Sequence, residues 1–406
     1  MIHVNIAAMI GKIHYQLNKI SRIKLRCKQC FRFLQRITCK IIGLSPWTVD
    51  DNNIYSVSFV GLYYNILYCI ILSVWSLHGV FNDPPATSPA ASLFIVLKRI
   101  LFVALVSSIL IPLYYIAFVQ QKRLISVYNR FAKVDEILKK CANYELRRNC
   151  TNDVIFSVNF VTIVFLVVIL DMCYYIPSRV LFGCFPSVIG GCVMIQYAML
   201  LNKIDSRFKS INSIILNISE PKISVVGPQM MSVSYECQFR ESILYDIDNL
   251  QKAYMELYEM CYDAAKFYGI SIIIAILCCG VKVIFTLYIL ILSAVYYQEN
   301  YSPIWHVIGF RFFWVVFLFV VFTLSTTEMK KQNRKLARTI CNLVDQSTLD
   351  DKVVEKLSCF SSDLSELEIE LTACDIISLD RSLLGIATAT VTIYLAITLQ
   401  FELLNN

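Results

Sequence analysis

Seven apolar stretches divide the chain, at 54–80, 93–119, 154–176, 179–201, 267–291, 303–324 and 383–404. Each has about the 20 residues that an α-helix needs, at 1.5 Å per residue, to cross the roughly 30 Å hydrocarbon core of a bilayer. The pattern predicts an all-α, polytopic membrane protein with seven transmembrane helices. The last stretch is not uniformly apolar. Thr388, Thr392, Ala396 and Gln400 recur every four residues, with Gly385 and Ala389 on the same side, while Leu384, Ile386, Val391, Leu395, Ile397 and Phe401 fill the opposite arc. A spanning helix with such a small, polar stripe either packs closely on a neighbouring helix or faces water in a pore.

The connections between stretches alternate in length and charge. The first, third and fifth are short and carry no Lys or Arg. The second, 120–153, holds eight bases, and Lys203, Arg207 and Lys209 follow the fourth span as Lys330, Lys331, Arg334, Lys335 and Arg338 follow the sixth. Because basic loops stay on the cytosolic side, the N-terminus and the long loops are expected inside and the C-terminus outside. Of the sequons at Asn149, Asn217 and Asn300, only Asn300 is then open to glycosylation.

The inner segments keep helical spacing. Leu244, Ile247, Leu250, Tyr254, Leu257 and Cys261 line one face and run into the fifth span, which predicts that this helix continues well below the membrane. Loops are expected at 220–234 and 346–352. The chain thus divides into a basic arm (1–53), four spans (54–201) with the inner loop 120–153, an inner helical anchor (202–266), spans five and six (267–324), a second anchor segment (325–382) and the last span (383–404).

Composition agrees with this class. Hydrophobic residues make up 57% of the 406 and charged residues 17%, with a net charge of +7, and mean hydropathy is +0.59. So few charges cannot solvate a globule of this size. The first 50 residues hold nine bases against the single acid Asp50 and no apolar core of a cleavable leader. The run from Lys19 to Arg36 suggests an amphipathic helix, suited to anionic lipid or to docking on the rest of the chain. The 16 cysteines read mostly as small hydrophobes. The pair Cys27 and Cys30, with Cys39 downstream, lacks a fourth ligand, so no metal is expected. No cofactor or enzyme motif appears, and only four histidines are present. The placement of the bases excludes a nucleic-acid partner.

The run from Glu370 to Phe401 resembles the C-terminal signature of the insect gustatory receptor family, in which a Thr-Tyr pair, five apolar residues and Gln-Phe end the seventh helix. Tyr394, residues 395–399, Gln400 and Phe401 match. Ile393 precedes the tyrosine, so the threonine, Thr392, is displaced by one. Thr372-Ala373-Cys374, Leu379-Asp380 and Leu383-Leu384 also match, whereas Asp375 stands where glycine or an apolar residue is more usual.

The resemblance implies a ligand-gated, non-selective cation channel in the plasma membrane of a gustatory neuron dendrite, a homo- or heterotetramer with other gustatory receptor subunits, opened by a small-molecule tastant. It places Gln400 and Phe401 at the pore constriction, with Ala396, Thr392 and Thr388 along the wall, and the inner parts of helices four to seven between subunits. Tyr394 would brace the pore helix against its neighbour. The ligand is expected among the outer halves of the first six helices, where Asp171, Tyr174 and Tyr175, then Tyr288, then Trp305, His306, Arg311 and Trp314 concentrate polar and aromatic groups. The aromatics equally fit an interfacial belt. Asp171, Lys282 and Arg311 must face protein or water, and Asp171 equally fits a structural ion pair. A transporter would show repeats or broken helices absent here, and a G-protein-coupled receptor would carry its basic loops on the other face.

Overall fold

The computed structural model describes residues 33–50 apart from 36 and 46, 54–81, 121–144 apart from 143, 151–174, 177–219, 233–296, 302–345 and 350–405 apart from 368. The second apolar stretch, 93–119, most of the basic arm, and residues 220–232 of the loop expected at 220–234 lie outside these residues; the last two positions of that expected loop are already helix.

The order is β1 (Trp47–Val49), β2 (Tyr55–Val57), α1 (Phe59–Phe81), α2 (Gln121–Lys139), α3 (Thr151–Tyr174), α4 (Pro177–Ser219), α5 (Val233–Tyr296), α6 (Ser302–Val344), α7 (Asp351–Glu366), β3 (Thr372–Ala373), β4 (Ile377–Ser378) and α8 (Arg381–Asn405). Among the described residues, the helical stretches Arg240–Tyr288 and Gly309–Val344 are long and apolar enough to cross a membrane, and shorter apolar helices run Phe59–Ile71, Thr151–Phe165 and Arg381–Ile397.

Helix α5 is one uninterrupted helix of 64 residues. It contains no proline, so no i→i−4 bond is lost along it. Its N-terminal half buries Ile247, Leu250, Tyr254, Leu257 and Cys261, the face that the apolar spacing marked. Helices α4, α5 and α6 pack on one another at the centre; α2 lies on α5, α3 on α4 and α6, and α7 on α5 and α6. Aromatic rings tie these layers together: Phe208 and Phe360 meet Tyr254 at centroid distances of 5.6 and 5.8 Å, and Tyr197 meets Tyr268 at 5.1 Å.

The bases of the second loop have a local destination. Arg130 pairs with Glu259 at 2.7 Å, Lys133 with Glu256 at 2.6 Å and Arg123 with Asp263 at 3.5 Å. Rising numbers on α2 meet falling numbers on α5, so the two helices are antiparallel. Arg207 of α4 grips Asp135 of α2 with two nitrogens, at 3.1 and 3.0 Å.

Two short ribbons depart from the all-helical expectation. The first apolar stretch opens not as helix at 54 but as strand β2, which pairs antiparallel with β1 in the register Trp47↔Val57 and Val49↔Tyr55. Helix α1 begins at Phe59, where the Ser58 hydroxyl accepts from the Gly61 N–H at 3.2 Å. Leu44 and Trp47 are buried beside this ribbon, so the end of the basic arm enters the core. Gly43 takes φ 82° there, and its carbonyl accepts from Asn65 at 2.7 Å. The loop expected at 346–352 is a further departure. Helix α7 starts inside it, because Asp350 caps the helix by accepting from the Lys352 N–H at 3.0 Å.

Candidate functional site

Helix α8 hangs from the rest of the chain by the β3–β4 hairpin. Leu371, Ala373 and Leu379 anchor that hairpin in the core. The Ile376 N–H donates to the Ala373 carbonyl at 3.1 Å across Cys374 and Asp375, whose φ values of 53° and 57° are left-handed. This explains why a glycine suits position 375: the left-handed region costs glycine nothing, and Asp is among the side chains that tolerate it. The Thr372 hydroxyl donates to the Asp375 carboxylate at 3.0 Å and holds the turn. The turn rests on α5 at Gly269, where an added Cβ would lie 3.0 Å from the Cys374 nitrogen and 3.1 Å from its Sγ.

The hairpin ends at Asp380, the cap of α8. Its Oδ1 accepts from the Ser382 N–H at 2.9 Å, and its Oδ2 accepts from the Ser378 hydroxyl at 2.8 Å. Lys330 of α6 stands 3.5 Å from Oδ2. The Ser382 hydroxyl also donates to Oδ1, and these donors, the Ser382 and Ser378 hydroxyls first and Lys330 last, hold the Asp380 carboxyl down to about 2. An Asp-x-Ser pair just before an apolar run is a helix-start signal that sequence reasoning could have read.

Beyond the cap, α8 packs on α5 and α6 through Leu383, Leu384, Ala387, Val391 and Leu395, the positions of the helix that are buried or half-buried. Thr388, Thr392, Ala396 and Gln400 are all exposed. The small, polar stripe is therefore not the face by which α8 packs on its own chain. The Thr388 and Thr392 hydroxyls donate to the carbonyls of Leu384 and Thr388 at 2.8 and 2.9 Å. Each hydroxyl has a single hydrogen, now used, so only oxygen lone pairs remain for whatever the stripe faces. Tyr394 is 56% exposed, although on the wheel it falls between Leu383 and Ala387 of the packing arc. The side chain of Phe401 lies outside those described.

In the candidate ligand region, the side chains of Asp171, Tyr174, Trp305 and His306 lie outside those described, as do residues Tyr175 and Asn300 altogether. Tyr288 on α5 and Arg311 on α6 are half-buried. Trp314 is 3% exposed, and its Nε1–H donates to Asn159 Oδ1 of α3 at 3.1 Å. A Cβ on Gly191 of α4 would come within 2.9 Å of the Trp314 ring and of Leu318. Trp314 thus joins three helices in a buried contact. Asn159 and Gly191 escaped sequence reasoning because neither belongs to a motif, and their partners come from distant helices. Among the described residues, no group of three or more His, Cys, Asp or Glu could hold a metal ion.

A family model described as 7tm Chemosensory receptor matches residues 15–405. The fold is similar to that of the insect olfactory receptor OR5 from Machilis hrabei, solved alone and in complex with eugenol. The eugenol complex is 11% identical with a TM-score of 0.62, the alignment covering 91% of this chain and 98% of that one. The structure without the ligand is 10% identical, with the same TM-score and coverage. No curated protein sequence matches the chain significantly.

Proposed function

The chain belongs to the 7tm chemosensory receptor family, and from that premise we propose that it is a gustatory receptor: a ligand-gated cation channel opened by a small-molecule tastant. The observation that carries the reading is the exposed stripe of α8. A row of hydroxyl, methyl and amide groups turned away from its own chain, on a helix long enough to span a bilayer, needs water or another copy to face. Four copies around an axis would turn Thr388, Thr392, Ala396 and Gln400 to a common pore. With Phe401, Gln400 would form the gate. A ring of neutral amides carries no net charge and discriminates weakly among cations.

The N-terminus and long loops would be cytosolic and the C-terminus outside, with the plasma membrane of a sensory dendrite as its place. The inner segments 202–266 and 325–382 would join subunits, of this chain or of related ones. The tastant would enter among Asp171, Tyr174, Tyr175, Tyr288, Trp305, Arg311 and Trp314 at the outer halves of the helices, with Asn300 glycosylated nearby. That a structural relative was solved with eugenol supports a small aromatic compound, and we take the receptor to be of bitter or broadly tuned type.

The test is patch-clamp recording from cells expressing this chain, alone and with candidate partner subunits, under a panel of such compounds. Evoked unitary events that reverse near zero voltage, with gating altered by Gln400→Ala, are the expected result. Ligand-dependent flux without unitary events would point to a transporter and overturn the channel reading.

A further inference from the structure

The base of α8 is fixed at two points. The hairpin turn is seated on α5 at Gly269, and the cap residue Asp380 faces Lys330 of α6 at 3.5 Å. Lys330 is also 3.4 Å from the Ser378 hydroxyl, so one ammonium touches both ends of the short segment between β4 and α8. Two residues earlier on α6, Glu328 stands 3.9 Å from Lys209 of α4, and Lys209 is 2.7 Å from the buried Asp205. A single turn of α6 therefore carries ionic contacts to α4 and to the cap of the last helix.

A lysine at this place needs no such contact to act as a topogenic charge. Lys331, its neighbour, lies near Glu328 of its own helix, 4.0 Å away, and keeps 71% of its side chain exposed, whereas Lys330 keeps 20%. The less exposed member of the pair is the one turned to the cap.

We propose that Lys330 and Asp380 form a latch between α6 and the foot of α8, and that these two positioning residues set how readily the last helix responds to ligand bound elsewhere. The inference rests on the channel reading for its functional half. Its structural half stands alone. An exposed pair biases a two-state equilibrium by no more than about fivefold, so the latch tunes the response without deciding it.

Two substitutions separate the charge from the cap. Asp380→Asn keeps an acceptor for the Ser382 N–H, since Asn caps helices as well as Asp does, and Lys330→Gln leaves the cap untouched. In ligand-evoked recordings each is expected to shift the half-activating concentration about two- to fivefold in one direction, with single-channel conductance unchanged. The double variant should shift no further than either single one, because both remove the same interaction. Unmoved or additive shifts would overturn the role in gating.

Hydrogen exchange on the solubilised protein supplies the readout independent of current. The amides of 376–382 should exchange faster in Lys330→Gln than in the parent, while those of α7 do not change. Equal exchange in the hairpin would overturn the latch itself. Faster exchange in a protein that gives no current under any compound would uphold the latch, overturn its gating role and count against the channel reading.

Discussion

The indole of Trp314 occupies the space that a side chain on Gly191 would need, within 2.9 Å of where its Cβ would lie. The Leu318 Cδ1 closes the same space from the next turn of α6, and because both side chains are buried neither has open space to move into. Overpacking of this kind costs about 1–3 kcal/mol. Gly191→Ala is expected to lower the melting temperature of the solubilised protein by several degrees. Gly190→Ala, whose Cβ would lie 3.8 Å from Ala275, is expected to leave it nearly unchanged.

Asn129 of α2 completes the β1–β2 ribbon from outside. Its Oδ1 accepts from the Tyr55 N–H at 2.8 Å, and its Nδ2 donates to the Tyr55 carbonyl at 3.0 Å, the two bonds that a further strand would make. Asn129→Leu keeps the volume and removes both, an expected loss of about 1–3 kcal/mol. Asn129→Asp keeps the acceptor and should lose less. Limited proteolysis near 50–54, compared across the three proteins, reads the ranking.

Asp380 gives a pH signature. Its folded-state value is depressed from 3.8 to about 2, so its contribution to stability is complete above the ordinary carboxylate range and is lost as pH falls from about 4 to about 2. The difference in melting temperature between the parent and Asp380→Asn should be constant near neutrality and vanish towards the bottom of that window. Measuring the difference, not the parent alone, removes the opposing drift from Asp205 and Asp246, whose carboxyls burial pushes up.

Thr390 and Thr392 test which side of α8 meets permeating ions. Both hydroxyls donate to the carbonyl four residues back, at 2.8 and 2.9 Å, so replacement by valine disturbs the helix equally in both. Two residues along a helix are about 200° apart. On the proposed pore axis, Thr392→Val removes a ring of oxygen lone pairs and should lower single-channel conductance several-fold, while Thr390→Val should not. Equal effects would mean that another face lines the path.

Much of this architecture is written in apolar spacing. The N-terminal half of α5 announced itself because Leu244 to Cys261 repeat at helical intervals, and the stripe of α8 because four small or polar residues recur every fourth position. Ribbons of two and three residues are too short to carry a period. The β1–β2 pair depends on Asn129, 74 residues from Tyr55, and no local rule connects them. Asp350 shows the other kind of miss: it falls in the loop expected at 346–352, although Asp before Asp351 and Lys352 is a capping signal. Trp314 stands out in the sequence only by its chemistry, as a candidate for the ligand region. Its burial comes from Asn159, 155 residues away, and a glycine on a third helix, which only the packed chain brings together.

The unbroken length of α5 has a mechanical corollary. At 1.5 Å per residue its 64 residues make a rod about 96 Å long, roughly three times the thickness of the hydrocarbon core. Gly269, where the hairpin is seated, falls close to the rod's midpoint. If the rod rocks about that seat by about 3°, each tip sweeps about 2.5 Å, in opposite directions, while the foot of the last helix stays near the fulcrum. Such a seesaw would link displacement at one tip to counter-displacement at the other, without dragging the last helix sideways.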